Sequence, residues 1–220
     1  MTDPLRAPGP DSPQSAFLDW AVAGRPLPGQ PVSGDLAAVQ VTRSRCVIAV
    51  IDGLGHGPEA AKAATLATGV IERHRAEPLE AMLLLVHEHL AESRGAAATL
   101  AIVDGDTGRM EWLGVGNVDG LVIRADETAR PHTVGVFLCR GILGYQQPNI
   151  RPQEPVQLEN GDYIVIATDG VRGDLAADIR HETPVDRMAT TLLDAHATPD
   201  DDALVFVARY RAAPAATSAT

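Results

Sequence analysis

Cysteine, aromatic residues and clustered basic residues are all scarce in this chain of 220 residues. Only Cys46 and Cys139 occur, without a CxxC pair, and each has apolar neighbours. We therefore expect two buried free thiols instead of a disulfide, which fits a reducing cytoplasm. Aromatic residues make up 4% of the chain, so the core has to be built from Ala, Val, Leu and Ile.

Basic blocks and long apolar runs are also missing. The net charge is −11, and neither nucleic acid nor an anionic membrane surface is an expected partner, because both need clustered Lys and Arg. No run approaches the roughly 20 apolar residues of a membrane span, and the first residues contain no apolar signal core. The sequence predicts a soluble, cytoplasmic protein.

The composition indicates one folded domain. Residues 1–15 are rich in Pro, Asp and Ser and are predicted to be disordered, as is the tail 212–220. Between them the hydrophobic content is ordinary, and neither a repeat nor a second shift in composition is visible. A single domain over residues 16–211 follows.

The predicted elements give an α+β order. Short apolar runs bounded by turn residues predict strands at 46–51, 99–103, 110–115, 120–124, 163–167 and 203–210. Helical periodicity predicts helices at 58–75, 79–93 and 184–196. Strands, two helices, and then mostly strands with one late helix are typical of antiparallel pairing, not of regular βαβ alternation.

Acidic residues stand at the ends of several predicted strands. Asp52 follows CVIAVI, Asp169 follows YIVIAT, and each precedes glycine. Asp201 lies in a run of three aspartates before ALVFVARY, and Asp35 begins a predicted strand. A carboxylate at the end of a buried strand costs free energy unless its charge is compensated. Convergence at one sheet edge would create a site of hard oxygen ligands, which suit Mg²⁺ or Mn²⁺.

Other patterns have simpler explanations. A lone Asp-Gly pair is most often a turn, and we interpret Asp104-Gly105 and Asn160-Gly161-Asp162 in this way. His87 and His89 are two apart on a helix and form a poor metal pair. The segment 55–60 matches a dinucleotide pattern formally, but the negative charge of Asp52 would face the pyrophosphate.

The ordered set SGD, IDGLGHG, ATDGV and DDALVFVARY resembles the type-2C metal-dependent protein phosphatases. The similarity is greater to their bacterial sporulation-protein-E-like branch. Leu54, His56 and the stretch 141–144 (GILG) resemble the RsbX-type stress-signalling phosphatases. The resemblance spans roughly residues 24–211 and implies an α+β fold of two packed antiparallel sheets flanked by helices.

The resemblance also implies a metal site for two divalent cations, Mn²⁺ or Mg²⁺. Asp52 would bridge both cations, and the Gly53 carbonyl would bind one of them. Asp169 and Asp201 would complete the other shell, with Asp35 nearby, directly or through water. Because three acids stand in a row, the one-residue alternative to Asp201 is Asp202.

Two positions depart from the family pattern. Leu54 stands where eukaryotic members have a histidine that is often considered a general acid. His56 lies two residues further on, and a loop role and a catalytic role are equally open for it. The arginine that holds phosphate in eukaryotic members has no clear counterpart, and Arg25 and Arg172 are either substitutes or surface residues.

The activity implied is hydrolysis of phosphoserine or phosphothreonine on a bacterial signalling protein by a metal-activated water. The expected partner is a small anti-sigma-antagonist-type domain protein of a partner-switching or stressosome-type pathway. Two alternatives remain: a catalytically silent phosphoprotein-binding module of the same fold, and a Mg²⁺-dependent phosphohydrolase acting on small molecules.

Overall fold

Two β-sheets pack face to face, and the structure, a computed structural model, describes residues 16–151 and 153–212. The first sheet has the spatial order β1 (Leu18–Arg25), β11 (Ala203–Tyr210), β10 (Tyr163–Ala167), β6 (Asp119–Ile123) and β7 (Thr133–Gly135). The second has the order β2 (Asp35–Val41), β3 (Arg45–Gly53), β4 (Ala96–Asp104), β5 (Arg109–Val115) and β8 (Leu138–Cys139). A further short strand, β9 (Val156–Gln157), pairs with β5.

Helices cover the outer faces of both sheets. Helices α1 (Pro58–Arg73) and α2 (Leu79–His89) pack on the second sheet, and α3 (Val185–His196) packs on the first. A 3₁₀ turn, Leu175–Asp178, lies beside α3. No helix in the described part of the chain is long and apolar enough to cross a membrane.

The central strands are buried on both faces, which explains their continuous apolar runs. Alternate residues of β3 enter different cores: Cys46, Ile48 and Val50 lie between the sheets, and Val47, Ala49 and Ile51 lie under α1 and α2. The same alternation divides β10 and β11 between the intersheet core and the core under α3. Cys46 and Cys139 are buried and free, as predicted.

The predicted α+β sandwich is confirmed, with differences at element ends. The strands at 163–167 and 203–210 have the predicted bounds, whereas α1 and α2 end earlier than predicted. β3 continues to Gly53, so Asp52 lies within the strand. The sequence did not predict β1, which is only partly buried, or the two- and three-residue strands β7, β8 and β9. Pairing is antiparallel except between β5 and β8.

The two terminal segments predicted to be disordered, 1–15 and 212–220, lie outside the described residues except for Ala212.

Both turn carboxylates dismissed as metal ligands have structural partners. One Asp104 oxygen accepts hydrogen bonds from the backbone N–H groups of Asp106 and Thr107 and from the Thr107 hydroxyl. Asp162 is 1% exposed and accepts a hydrogen bond from the Arg124 guanidinium at 2.7 Å. It also accepts from the backbone N–H groups of Ala125 and Glu159. Asp162 therefore anchors the β9–β10 turn to the end of β6.

These two carboxylates differ in burial, so the substitutions Asp162→Asn and Asp104→Asn form a matched pair. We expect Asp162→Asn to lower the free energy of unfolding by about 3 kcal/mol, because it leaves a partly buried guanidinium unpaired. Asp104→Asn should cost less than about 1 kcal/mol, because water replaces the lost interactions. Urea denaturation measures both values, and equal losses would contradict the assignment of Asp162 as the anchor.

Candidate metal centre

Four acidic residues lie where the edges of the two sheets meet. Asp35 at the start of β2 and Asp52 near the end of β3 are paired residues of neighbouring antiparallel strands. Asp169 comes two residues after β10, and Asp201 two residues before β11. Because β10 and β11 are antiparallel neighbours, these two aspartates share one edge of the first sheet.

Thr168 joins the two sheet edges. Its hydroxyl donates a hydrogen bond to Asp35 Oδ2 at 2.7 Å and accepts one from the Leu204 N–H at 2.9 Å. Thr168 is 1% exposed and Asp35 is 3% exposed, so this contact is made away from water. The carboxylate of the second sheet is thus held by a neutral donor of the first sheet.

Asn117, in the loop between β5 and β6, makes a second connection. Its amide nitrogen donates to Asp169 Oδ2 at 2.6 Å, and its side chain is close enough to Asp52 to lower the pKa of that carboxyl, although burial and the neighbouring charges raise it more. Asp52 and Asp169 therefore lie within reach of one amide group. Asn117 does not stand out in the sequence, because Gly116-Asn117 between two strands has the composition of an ordinary turn.

The structure separates the roles of the two neighbouring aspartates, 201 and 202. Asp202 is 2% exposed, and its two oxygens accept from the N–H groups of Leu27 at 2.7 Å and Gly34 at 2.8 Å. Asp201 is half-buried, and its Oδ1 accepts from the N–H of Asp202 at 2.8 Å. Asp202 therefore uses both oxygens to hold the backbone before β2, whereas Oδ2 of Asp201 accepts no hydrogen bond from the described residues.

The glycines that follow Asp52 and Asp169 are required by close packing. Neither Gly53 nor Gly170 has a positive φ, so a left-handed turn is not the reason for glycine here. A Cβ on Gly53 would overlap the carbonyl oxygen of Ala60 in α1, and a Cβ on Gly170 would overlap that of Asp202. Close approach of another backbone requires glycine at both positions.

Burial and mutual repulsion raise the pKa values of the Asp35, Asp52 and Asp201 carboxyl groups. The pKa of Asp35 rises to about 8, first because of burial and then because of the Asp52 charge, although the Thr168 hydrogen bond lowers it. The pKa of Asp52 rises to about 7, because of burial and the charges of Asp169 and Asp201. Burial also raises the pKa of Asp201. A positive charge nearby would compensate the negative charge of the clustered carboxylates.

The arrangement fits a cation that keeps much of its own water. Within residues 16–151 and 153–212, no group of three or more His, Cys, Asp or Glu side chains is placed so that it could hold a metal ion alone. Mg²⁺ is usually bound through one or two carboxylates and retains several waters. The carboxylates near Asn117 are such donors, and the raised pKa values of Asp35 and Asp52 mark the site as short of positive charge.

The remaining predicted residues lie around this cluster. His56 is exposed between Gly55 and Gly57, and Leu54 is held by a hydrogen bond from its N–H to the Gly95 carbonyl. Arg172 donates from Nε to the Asp169 carbonyl at 3.2 Å. The Arg25 guanidinium donates to the Thr198 carbonyl.

Arg94 was not among the predicted site residues, and it lies beside the loop that follows Asp52. A Cβ on Gly55 would be 2.8 Å from its Nη1.

The family is shown by sequence comparison. The pattern described as stage II sporulation protein E (SpoIIE) matches residues 42–211. The chain belongs to the SpoIIE family. Its fold and enzyme class are those of the PP2C-type phosphatases, which confirms both predictions.

Individual relatives of this SpoIIE-family chain have low sequence identity to it. Phosphoserine phosphatase RsbX of Bacillus subtilis (strain 168) is 21% identical over 166 residues, which are 74% of this chain and 80% of the relative. A structure of RsbX in complex with magnesium has a TM-score of 0.75 at 19% identity, covering 90% of this chain and 97% of that one. A structure from work on the bacterial stressosome has a TM-score of 0.80 at 29% identity, covering 87% and 99%.

The raised pKa values predict that divalent cations stabilise this SpoIIE-family protein more at high pH. The unfolded chain ionises these carboxyls near the ordinary pKa of 3.8, but the folded protein keeps Asp52 protonated up to about pH 7 and Asp35 up to about pH 8. Between pH 3.8 and the folded pKa of each group, the folded state binds more protons than the unfolded state. The contribution of both groups to the free energy of unfolding therefore falls as pH rises through this range. Mn²⁺ at 100 times its Kd should restore about 2.7 kcal/mol.

Thermal unfolding at pH 5 and pH 8, with Mn²⁺ or with EDTA, measures this effect. The increase in Tm on adding Mn²⁺ should be larger at pH 8, because fewer protons compete for the carboxylates. Asp35→Asn is the control, and in EDTA it should lose less stability between the two pH values than the wild type. An equal or larger increase at pH 5 would contradict the prediction.

Proposed function

We propose that this chain hydrolyses phosphoserine or phosphothreonine on a protein, using two divalent cations, Mn²⁺ or Mg²⁺. The observation that carries the proposal is the position of the Asn117 amide, which donates to Asp169 of the first sheet and lies close enough to Asp52 of the second sheet to lower its pKa. Membership of the SpoIIE family supports the reaction class. The binding of magnesium by RsbX, a structural neighbour, supports the choice of cation.

The side chains of the site divide into ligands and supports. Asp52, Asp169, Asp201 and the Gly53 carbonyl would hold the cations, with Asp35 behind Asp52. When bound, the cations supply an activated water and neutralise charge on the phosphoryl oxygens. Thr168 and Asn117 keep Asp35 and Asp169 oriented by donating hydrogen bonds.

The exposure of the site favours a phosphorylated side chain on a folded partner. Asn117, His56 and Arg94 are exposed, and Asp52, Asp169 and Asp201 are partly exposed. The Arg94 guanidinium is the cationic group beside the loop after Asp52. A protein surface can approach such an open rim, and the arginine can attract its phosphate.

The substrate class follows from the relatives. RsbX is named as a phosphoserine phosphatase, and another neighbour comes from work on the bacterial stressosome. We propose a phosphorylated small anti-sigma-antagonist-type domain protein as the partner, in cytoplasmic stress signalling. His56 has no role in this scheme beyond the exposed loop.

Release of phosphate tests the reaction. With Mn²⁺ the protein should dephosphorylate a phosphoserine protein, and EDTA should abolish the activity. Asp52→Asn should lower kcat/KM by more than about 100-fold, because removing even an outer-sphere partner of a metal ligand costs about 10–100-fold. Partner binding without activity would favour a silent binding module, and preference for nucleotides or sugar phosphates would favour a small-molecule phosphohydrolase.

The pair Asp201→Asn and Asp202→Asn distinguishes ligand from support. Asp201→Asn should weaken Mn²⁺ binding and leave the Tm of the metal-free protein unchanged or higher, because it removes a repelling charge. Asp202→Asn should lower the free energy of unfolding by about 2 kcal/mol, since an amide NH₂ would then face a backbone N–H. Calorimetric Mn²⁺ titration and urea denaturation measure the two effects, and the reverse pattern would make Asp202 the ligand.

A further inference from the structure

His196, the last residue of α3, lies between two hydrogen-bond acceptors. Its Nε2 is 2.9 Å from Oδ2 of Asp178, and its Nδ1 is 3.0 Å from the carbonyl oxygen of Arg172. The imidazole is 13% exposed. The ring therefore joins α3 and the 3₁₀ turn to the chain that follows Asp169.

Both contacts form together only if the ring carries two protons. A carbonyl oxygen cannot donate, so Nδ1 has to donate to Arg172. The Asp178 carboxylate accepts in the same way from Nε2. The geometry is that of an imidazolium held between a carboxylate and a carbonyl.

The segment held by His196 is the turn that carries Asp169. The Arg172 N–H donates to the His196 carbonyl at 2.9 Å, and the Thr198 N–H donates to the Gly170 carbonyl at 2.8 Å. Arg172 in turn donates from Nε to the Asp169 carbonyl at 3.2 Å. The path from Asp178 to Asp169 therefore consists of hydrogen bonds through His196 and Arg172.

Gly173 leaves space for the His196 imidazole. Gly173 has a φ of +122°, and a Cβ there would be 2.7 Å from His196 Nδ1. A side chain at this position would be strained and would displace the imidazole.

We propose that His196, held by Asp178, is a positioning residue that fixes the turn 169–173 and so the Asp169 carboxylate for metal binding. The pair reaches the proposed metal site only through the backbone of the turn and the Arg172 side chain, and it touches no substrate. The inference rests on the proposed metal site. It adds a positioning residue from α3, the helix that packs on the outer face of the first sheet.

Mn²⁺ titration calorimetry on His196→Gln and Asp178→Asn tests the proposal. At pH 6 each variant should bind Mn²⁺ about tenfold more weakly than the wild type, as for other supports of metal ligands. His89→Gln is the matched control, since His89 also ends a helix and bonds a carbonyl, that of Leu85, but lies on α2.

A second readout does not depend on metal or activity. Hydrogen exchange of the 170–173 amides in EDTA should be faster in both variants than in the wild type and in His89→Gln. Unchanged Mn²⁺ affinity and unchanged exchange would overturn the proposal, and so would a lower Tm with unchanged Mn²⁺ affinity. Wild-type phosphatase activity reports the proposed function separately, because weaker Mn²⁺ binding in the variants supports the positioning role even if that activity is absent.

Discussion

Negative charge collected at the junction of the two sheets is the constraint on which the site depends. Burial raises the pKa values of Asp35 and Asp52, and the neighbouring carboxylates raise them further. Within the described residues, the side chains that donate to Asp35 and Asp169 are Thr168 and Asn117, both neutral. Neutral donors orient a carboxylate without cancelling its charge, so the cluster stays attractive to a cation from solution.

The adjacent carboxylates of Asp201 and Asp202 lie in different environments. Asp202 turns to the interior and satisfies two backbone N–H groups with its two oxygens. Asp201, one residue earlier, remains partly exposed beside the cluster. Successive side chains of an extended chain point to opposite sides, so one residue of register separates a structural carboxylate from a candidate ligand.

Local sequence patterns predicted those candidate ligands that follow buried strands. Strand-end burial pointed to Asp52 and Asp169, and both lie within reach of Asn117. The choice between Asp201 and Asp202 needed the contact with Leu27 and Gly34, about 170 residues away in sequence, which no local pattern contains.

Long-range contacts also explain the other omissions. Asn117 and Thr168 act across the sheet junction, and the glycines at 53 and 170 are required by other segments of backbone. In the fold, strands buried on both faces were predicted well, whereas β1 was missed because its sequence shows neither alternation nor a continuous apolar run.

The division of the site between two sheets links metal binding to folding. Asp52 belongs to a strand buried on both faces, whereas Asp169 and Asp201 lie on turns of the other sheet. Packing of the intersheet core and the Thr168–Asp35 hydrogen bond set the distance between these groups. A cation held as proposed, by residues of both sheets, would add a contact across the same junction, and its binding free energy would add to the stability of the folded state. The turn carrying Asp169 is the less buried half of the site, so the contacts that hold it limit how precisely the two halves meet.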